Sequence, residues 1–101
     1  MKKVFVAGGF EVELTKKSLK RFFASKAVVV ENFAEADVIV TGSPVEAEGF
    51  AKNTEAKILI LGYKYEDLAA VCKVKKYFPG RVFMQNSGED CTSLLKELVE
   101  Q

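Results

Sequence analysis

The sequence predicts one α/β domain spanning residues 1–101, a parallel sheet flanked by helices. Three observations predict it. Short, continuous apolar runs recur along the chain, helical patterns alternate with them, and glycine directly follows three of the five runs. An uninterrupted, β-branched run of four or five residues is the pattern of a strand buried on both faces, and strands alternating with helices imply parallel pairing through right-handed crossovers.

Val4-Phe5-Val6-Ala7 is the first strand, stopped by Gly8-Gly9. A helical pattern follows, with Val12, Thr15, Leu19, Phe22 and Phe23 on one face and Lys16, Lys17, Lys20 and Arg21 mostly opposite. Residues 27–30 form the second strand. Only Asn32-Phe33-Ala34-Glu35-Ala36 separates Glu31 from Asp37, about one helical turn, so this crossover has no room for a full helix. Val38-Ile39-Val40 is the third strand. Pro44, whose missing N–H has no partner in a first helical turn, opens a short helix over 45–52. Ile58-Leu59-Ile60-Leu61 is the fourth strand, followed by a helix over 66–77 with Leu68, Val71 and Cys72 inward and Pro79-Gly80 as its stop. Residues 81–85 form the fifth strand. Ser87 and Asp90 have capping-box spacing, and Cys91, Leu94, Leu95 and Leu98 then recur at i, i+3, i+4 and i+7, the inward stripe of a final helix.

Composition removes several function classes. The chain is 49% hydrophobic and 29% charged with a net charge of +1, a balance that asks for neither nucleic acid nor an anionic membrane surface. Lys16, Lys17, Lys20 and Arg21, and again Lys73, Lys75 and Lys76, read as solvated helix faces. No apolar run reaches the length of a membrane span, and Met1-Lys2-Lys3 leads into too short an apolar segment for a signal peptide. There is no histidine, and Cys72 and Cys91 form no CxxC pair. Zinc binding, histidine acid–base chemistry and Cys–His nucleophiles are therefore not expected. Reduced cysteines in a cytoplasmic protein are the expectation.

Open parallel sheets bind ligands beyond the carboxyl ends of their strands. Those ends carry Gly8, Gly9, Thr41, Gly42, Ser43, Gly62, Tyr63, Asn86 and Ser87. Glycines before helix N-termini let backbone N–H groups approach a phosphate, which makes a small-anion or nucleotide site one candidate. Neither GxGxxG nor GxxxxGK[ST] is present, and the same glycines turn the chain from strand to helix at low steric cost. Glu11, Glu13, Glu46 and Glu48 follow strands one and three. They could hold a metal, but their places read as first-turn acids that complement a helix dipole. Asp37 lies at the opposite end from catalysis. Cys91 sits where a helix dipole would stabilise a thiolate, yet falls on the apolar stripe, and both cysteines read as buried and inert. Tyr63 and Tyr65 could stack on a ligand or anchor a partner.

The stretch KILILGYKYEDLAAVCKVKKYFPGRVFMQNSGEDCTSLLKELVE, with the openings KVFVAGG and LTKKSLKRFF, resembles the receiver domain of bacterial response regulators in the order and character of its elements. Gly8 and Gly9 stand where receivers hold Mg²⁺ with acids. Thr41 or Gly42 stands at the phosphoacceptor aspartate, Leu61 or Gly62 at the hydroxyl residue, and Asn86-Ser87 at the Lys-Pro pair. Glycine can neither accept a phosphoryl group nor ligate a metal through a side chain. The resemblance therefore implies a degenerate receiver that does not run the phosphorylation switch. The short second connection departs from receivers and is similar to that of BRCT domains, as are FVAGGF and ADVIVTGSP. BRCT domains usually carry a Gly-Gly before the second strand, where Ala24-Ser25-Lys26 stands, and a tryptophan, which this chain lacks.

The resulting expectation is a doubly wound five-stranded parallel sheet of flavodoxin-like order 2-1-3-4-5, with a short connection between strands two and three. The expected function is regulatory protein–protein interaction without catalysis, cofactor or metal. The partner is a protein, a second copy of this chain among the candidates, and neither nucleic acid nor membrane. The receiver resemblance places the contact face on the fourth helix, fifth strand and fifth helix, at Tyr63, Val71, Lys75, Phe83, Gln85 and Ser87. A small-anion or nucleotide binder, and a BRCT-like interaction domain, stand as alternatives.

Overall fold

The computed structural model describes residues 1–7, 16, 17, 19–21, 25–85 and 91–100, the last helix with its side chains from Leu94 onward. Five strands, β1 (Lys2–Val6), β2 (Ala27–Val29), β3 (Val38–Thr41), β4 (Lys57–Leu61) and β5 (Val82–Gln85), pair in parallel in the order β2-β1-β3-β4-β5. This is the flavodoxin-like order expected. β1, β3 and β4 have neighbours on both sides. Every residue of β3 is buried, as is β4 from Ile58 onward, because such a strand meets side chains on both faces.

Alternation along the strands divides the core into two layers. Val4, Val6, Ala27, Val38, Val40, Leu59 and Leu61 point to the first face. There they meet Leu19 and the inward residues Leu95, Leu98 and Val99 of the last helix, α4 (Cys91–Glu100). Residues 16, 17 and 19–21, called α1, are helical, and Leu19 is their buried residue. Ile39, Ile58, Ile60 and Val82 point to the second face, under α2 (Pro44–Asn53) and α3 (Leu68–Tyr77). Ala47 and Ala51 let α2 lie close to the sheet, and Val71 and Val74 are the inward residues of α3.

The β2–β3 crossover is as short as its eight residues require. A single 3₁₀ turn, Phe33–Glu35, is capped by Asn32, whose Oδ1 accepts from the Ala34 N–H at 3.0 Å. The Asp37 carboxylate accepts from the Lys3 N–H at 2.9 Å and ties the start of β3 to β1. With no helix in this crossover, Phe33 covers part of the second face near β2, packing at ring-centroid distances of 6.1 Å from Phe5 and 5.3 Å from Phe50.

The expected inward stripe of α3 needs correction. Leu68 and Cys72 are exposed, and the buried positions are Val71 and Val74. The segment begins with a 3₁₀ turn, Tyr65–Asp67, before α-helical geometry starts at Leu68. The stripe therefore runs Val71, Val74 and partly buried Phe78 at i, i+3 and i+7, and Cys72 is solvent-facing rather than inert in the core. The Cys91 side chain lies outside the described residues. No helix among the described residues is long and apolar enough to cross a membrane.

Candidate functional site

The carboxyl edge of the sheet brings together the ends of β3, β4 and β5. Thr41 is the last residue of β3 and is buried, and Gly42 and half-buried Ser43 lead into α2. Ser43 is the N-cap of that helix. Its Oγ accepts from the Glu46 N–H at 3.3 Å, and Pro44 takes the first helical position. The Thr41 hydroxyl lies between the two, donating to Glu46 Oε2 at 3.0 Å and accepting from the Ser43 N–H at 3.2 Å.

Ser43-Pro44-Val45-Glu46 has the S-x-x-E spacing of a capping box. In the usual box the glutamate reaches back to the cap residue's own N–H. Here Thr41 takes that N–H and passes its hydroxyl proton toward the glutamate, so three residues close a ring over the first turn of α2. From the sequence, Glu46 is a first-turn acid or a candidate metal or acid–base carboxylate, and neither expectation includes this link. The S-x-x-E spacing was the signal that could have found it.

The closed ring decides what this corner can do. Thr41 is committed to two partners, the Ser43 hydroxyl is spent on the cap, and the Glu46 carboxylate stands where an anion would approach the helix N-terminus. An anion there would meet negative charge before it met the dipole. A Cβ at Gly42 would lie 3.4 Å from the Leu61 carbonyl oxygen, an ordinary contact, so the packing here does not require a glycine.

At the end of β4, Gly62 has a φ of 67° and donates its N–H to the Gln85 carbonyl at 3.2 Å, turning the chain where a residue with a Cβ would be strained. Tyr63, expected at a half-open loop, is buried beside Val71 and Ile60. Gly8, Gly9, Glu11, Glu13, Asn86 and Ser87 lie outside the described residues. Among the described residues no three Cys, Asp or Glu side chains are placed to hold a metal ion.

Burial also redraws the expected contact face. Val71, Gln85 and Tyr63 are withdrawn from solvent. They are corrected from contact residues to core residues, because Val71 points at the sheet from α3, Gln85 closes β5, and Tyr63 packs under the loop that follows β4. Lys75 is exposed and Phe83 is partly buried against the first-face core. No protein-family model matches the chain, and no curated protein or solved structure matches it either.

Proposed function

We propose that this domain is a non-catalytic interaction module, built like a receiver but without the phosphorylation chemistry, which acts by presenting surface to a protein partner. The observation that supports this most directly is the Thr41–Ser43–Glu46 ring. At the strand end where a phosphoacceptor would stand, the polar side chains hydrogen-bond one another, and Glu46 adds negative charge that opposes phosphate. The exposed apolar side chains Val45, Tyr65 and Tyr77 lie elsewhere, on and around α2 and α3, in keeping with recognition through the surface.

The test is incubation with acetyl phosphate and Mg²⁺, read by intact-protein mass spectrometry. The expected spectrum is unchanged, and a stable phosphoprotein would sink the reading. A rise in melting temperature with inorganic phosphate or common nucleotides would instead move the assignment to a small-anion binder.

A further inference from the structure

Among the described residues, two groups of apolar side chains stand open on the second face of the sheet, and they differ in charge. The first is a corner left by the short β2–β3 crossover. Phe33, 40% exposed, packs against half-buried Phe5 and Phe50, and Val28, 43% exposed on the edge strand β2, pairs with Lys3 of the neighbouring strand. Val28 lies there because Ala27 and Val29 point to the opposite face. Exposed Glu31 and Glu35 flank Phe33 two residues to either side and outnumber Lys3, the lysine that alternation on β1 places on the same side.

The second group is the groove between α2 and α3, a space of about 190 Å³. Val45, 79% exposed, and Tyr77, 65% exposed, form its open walls. Lys73 lies over the Tyr77 ring at 5.9 Å from its centroid, and Lys76 is exposed on the same helix. The one acid in this groove, Glu48, is bridged to Lys52 at 3.2 Å, so the rim is basic.

We propose that the chain forms a two-fold homodimer in which the acidic aromatic corner of each protomer packs against the basic α2–α3 groove of the other. Charge selects this pairing. Corner against corner would bring Glu31 and Glu35 onto their own copies, and groove against groove would do the same with Lys73 and Lys76. Geometry allows the unlike pairing twice. Both patches lie on one side of the sheet with α2 between them, Phe50 facing the corner and Val45 and Glu48 facing the groove. A two-fold axis running along α2 therefore lays each corner on the partner's groove and closes the assembly at two copies.

Gly49 is the third element of this interface. It falls between Glu48 and Phe50, on the ridge of α2 between the two patches, and a Cβ there would meet nothing within 4 Å. A glycine inside a helix is unfavourable, and this one has no reason inside the protomer. A second chain lying across α2 supplies one, since a missing side chain brings the two ridges closer.

This inference deepens the interaction-module reading by naming the partner, and the experiment separates the two. Light scattering on the whole chain at low salt is expected to give twice the 11.2 kDa protomer mass, falling toward one as salt screens the charges. Glu31→Lys with Glu35→Lys, and separately Lys73→Glu with Lys76→Glu, change only exposed side chains, and circular dichroism checks that each variant folds. Each double variant is expected to be monomeric, and mixing the two is expected to restore a dimer, because both contacts then pair opposite charges. Gly49→Gln is expected to lower the dimer fraction by at least tenfold in association constant while leaving the protomer folded. A monomer mass for the wild type at about 1 mM chain, a dimer indifferent to these charges, or a ladder of higher masses overturns the proposal. A monomer that takes up no phosphoryl group leaves the interaction-module reading standing, whereas phosphoryl uptake removes that reading whatever the mass.

Discussion

Arg81, at the start of β5, donates from Nη1 to the Ala51 carbonyl at 3.1 Å and from Nη2 to the carbonyls of Thr54 and Ala56. One planar cation thus satisfies three carbonyls at the end of α2 and in the turn before β4, and its guanidinium lies 5.9 Å from the Phe78 ring centroid. Hydrogen bonds from a charged donor are worth about 1.5–3 kcal/mol. Arg81→Ala is therefore expected to cost about 3 kcal/mol in urea unfolding, with Arg81→Lys recovering only part, since an ammonium cannot reproduce the fork. A variant as stable as the wild type would show that the fork is not a clamp. At the opposite face of the sheet, Lys26 bridges Glu100 across 74 residues of sequence. The hydrogen bond from Lys26 holds the Glu100 carboxyl below the usual carboxylate range, with the lysine's charge adding to it. A lowered folded pKa contributes stability above the unfolded value and loses it as pH falls through the folded one. Lys26→Met is expected to raise the Glu100 titration midpoint measured by NMR. The stability gap between wild type and variant should be small at neutral pH, because the pair is solvent-exposed, and should vanish in acid.

At the scale of elements, α2 and α3 show opposite degrees of legibility. The start of α2 was readable because Pro44 and the cap before it are local signals, and the helix runs one residue further at each end than expected. Ser43→Ala is expected to cost about 1 kcal/mol, measured by thermal unfolding, because it removes the acceptor of the Glu46 N–H while leaving the Ser43 N–H bonded to Thr41. No loss would mean that the two hydrogen bonds of the Thr41 hydroxyl hold the turn without the cap. The inward face of α3 was not readable in the same way. Leu68, Val71, Cys72, Val74 and Phe78 permit more than one stripe, and the choice depends on the 3₁₀ turn that sets the helix's phase. Packing on β4 and β5 decided that phase, so Cys72 faces solvent.

Over the whole molecule, the short second crossover has the widest consequence. A parallel sheet is normally covered on both faces. Here the segment between β2 and β3 supplies one turn and one aromatic ring, which leaves Val28 and Phe33 partly open, with Glu31 and Glu35 flanking Phe33. α2 separates this corner from the α2–α3 groove, and both lie on one side of the sheet. The expected behaviour is association without phosphoryl transfer. An unchanged mass after acetyl phosphate treatment, together with a salt-sensitive dimer in light scattering, checks it.

By itself the sequence determined the α/β class, the five strands, the two-faced burial of β3 and β4, and the one-turn crossover. These follow from contiguous residues, since apolar run length, turn residues and loop length are local quantities. The strand order came with the receiver resemblance, and the sheet pairing bears it out. Only the tertiary structure decided that Tyr63, Val71 and Gln85 belong to the core and that two patches of unlike charge share a face. Those outcomes depend on the phase at which each helix settles on the sheet and on which strand ends a neighbouring element covers. Both are set by packing between residues far apart in sequence, and no local pattern encodes them.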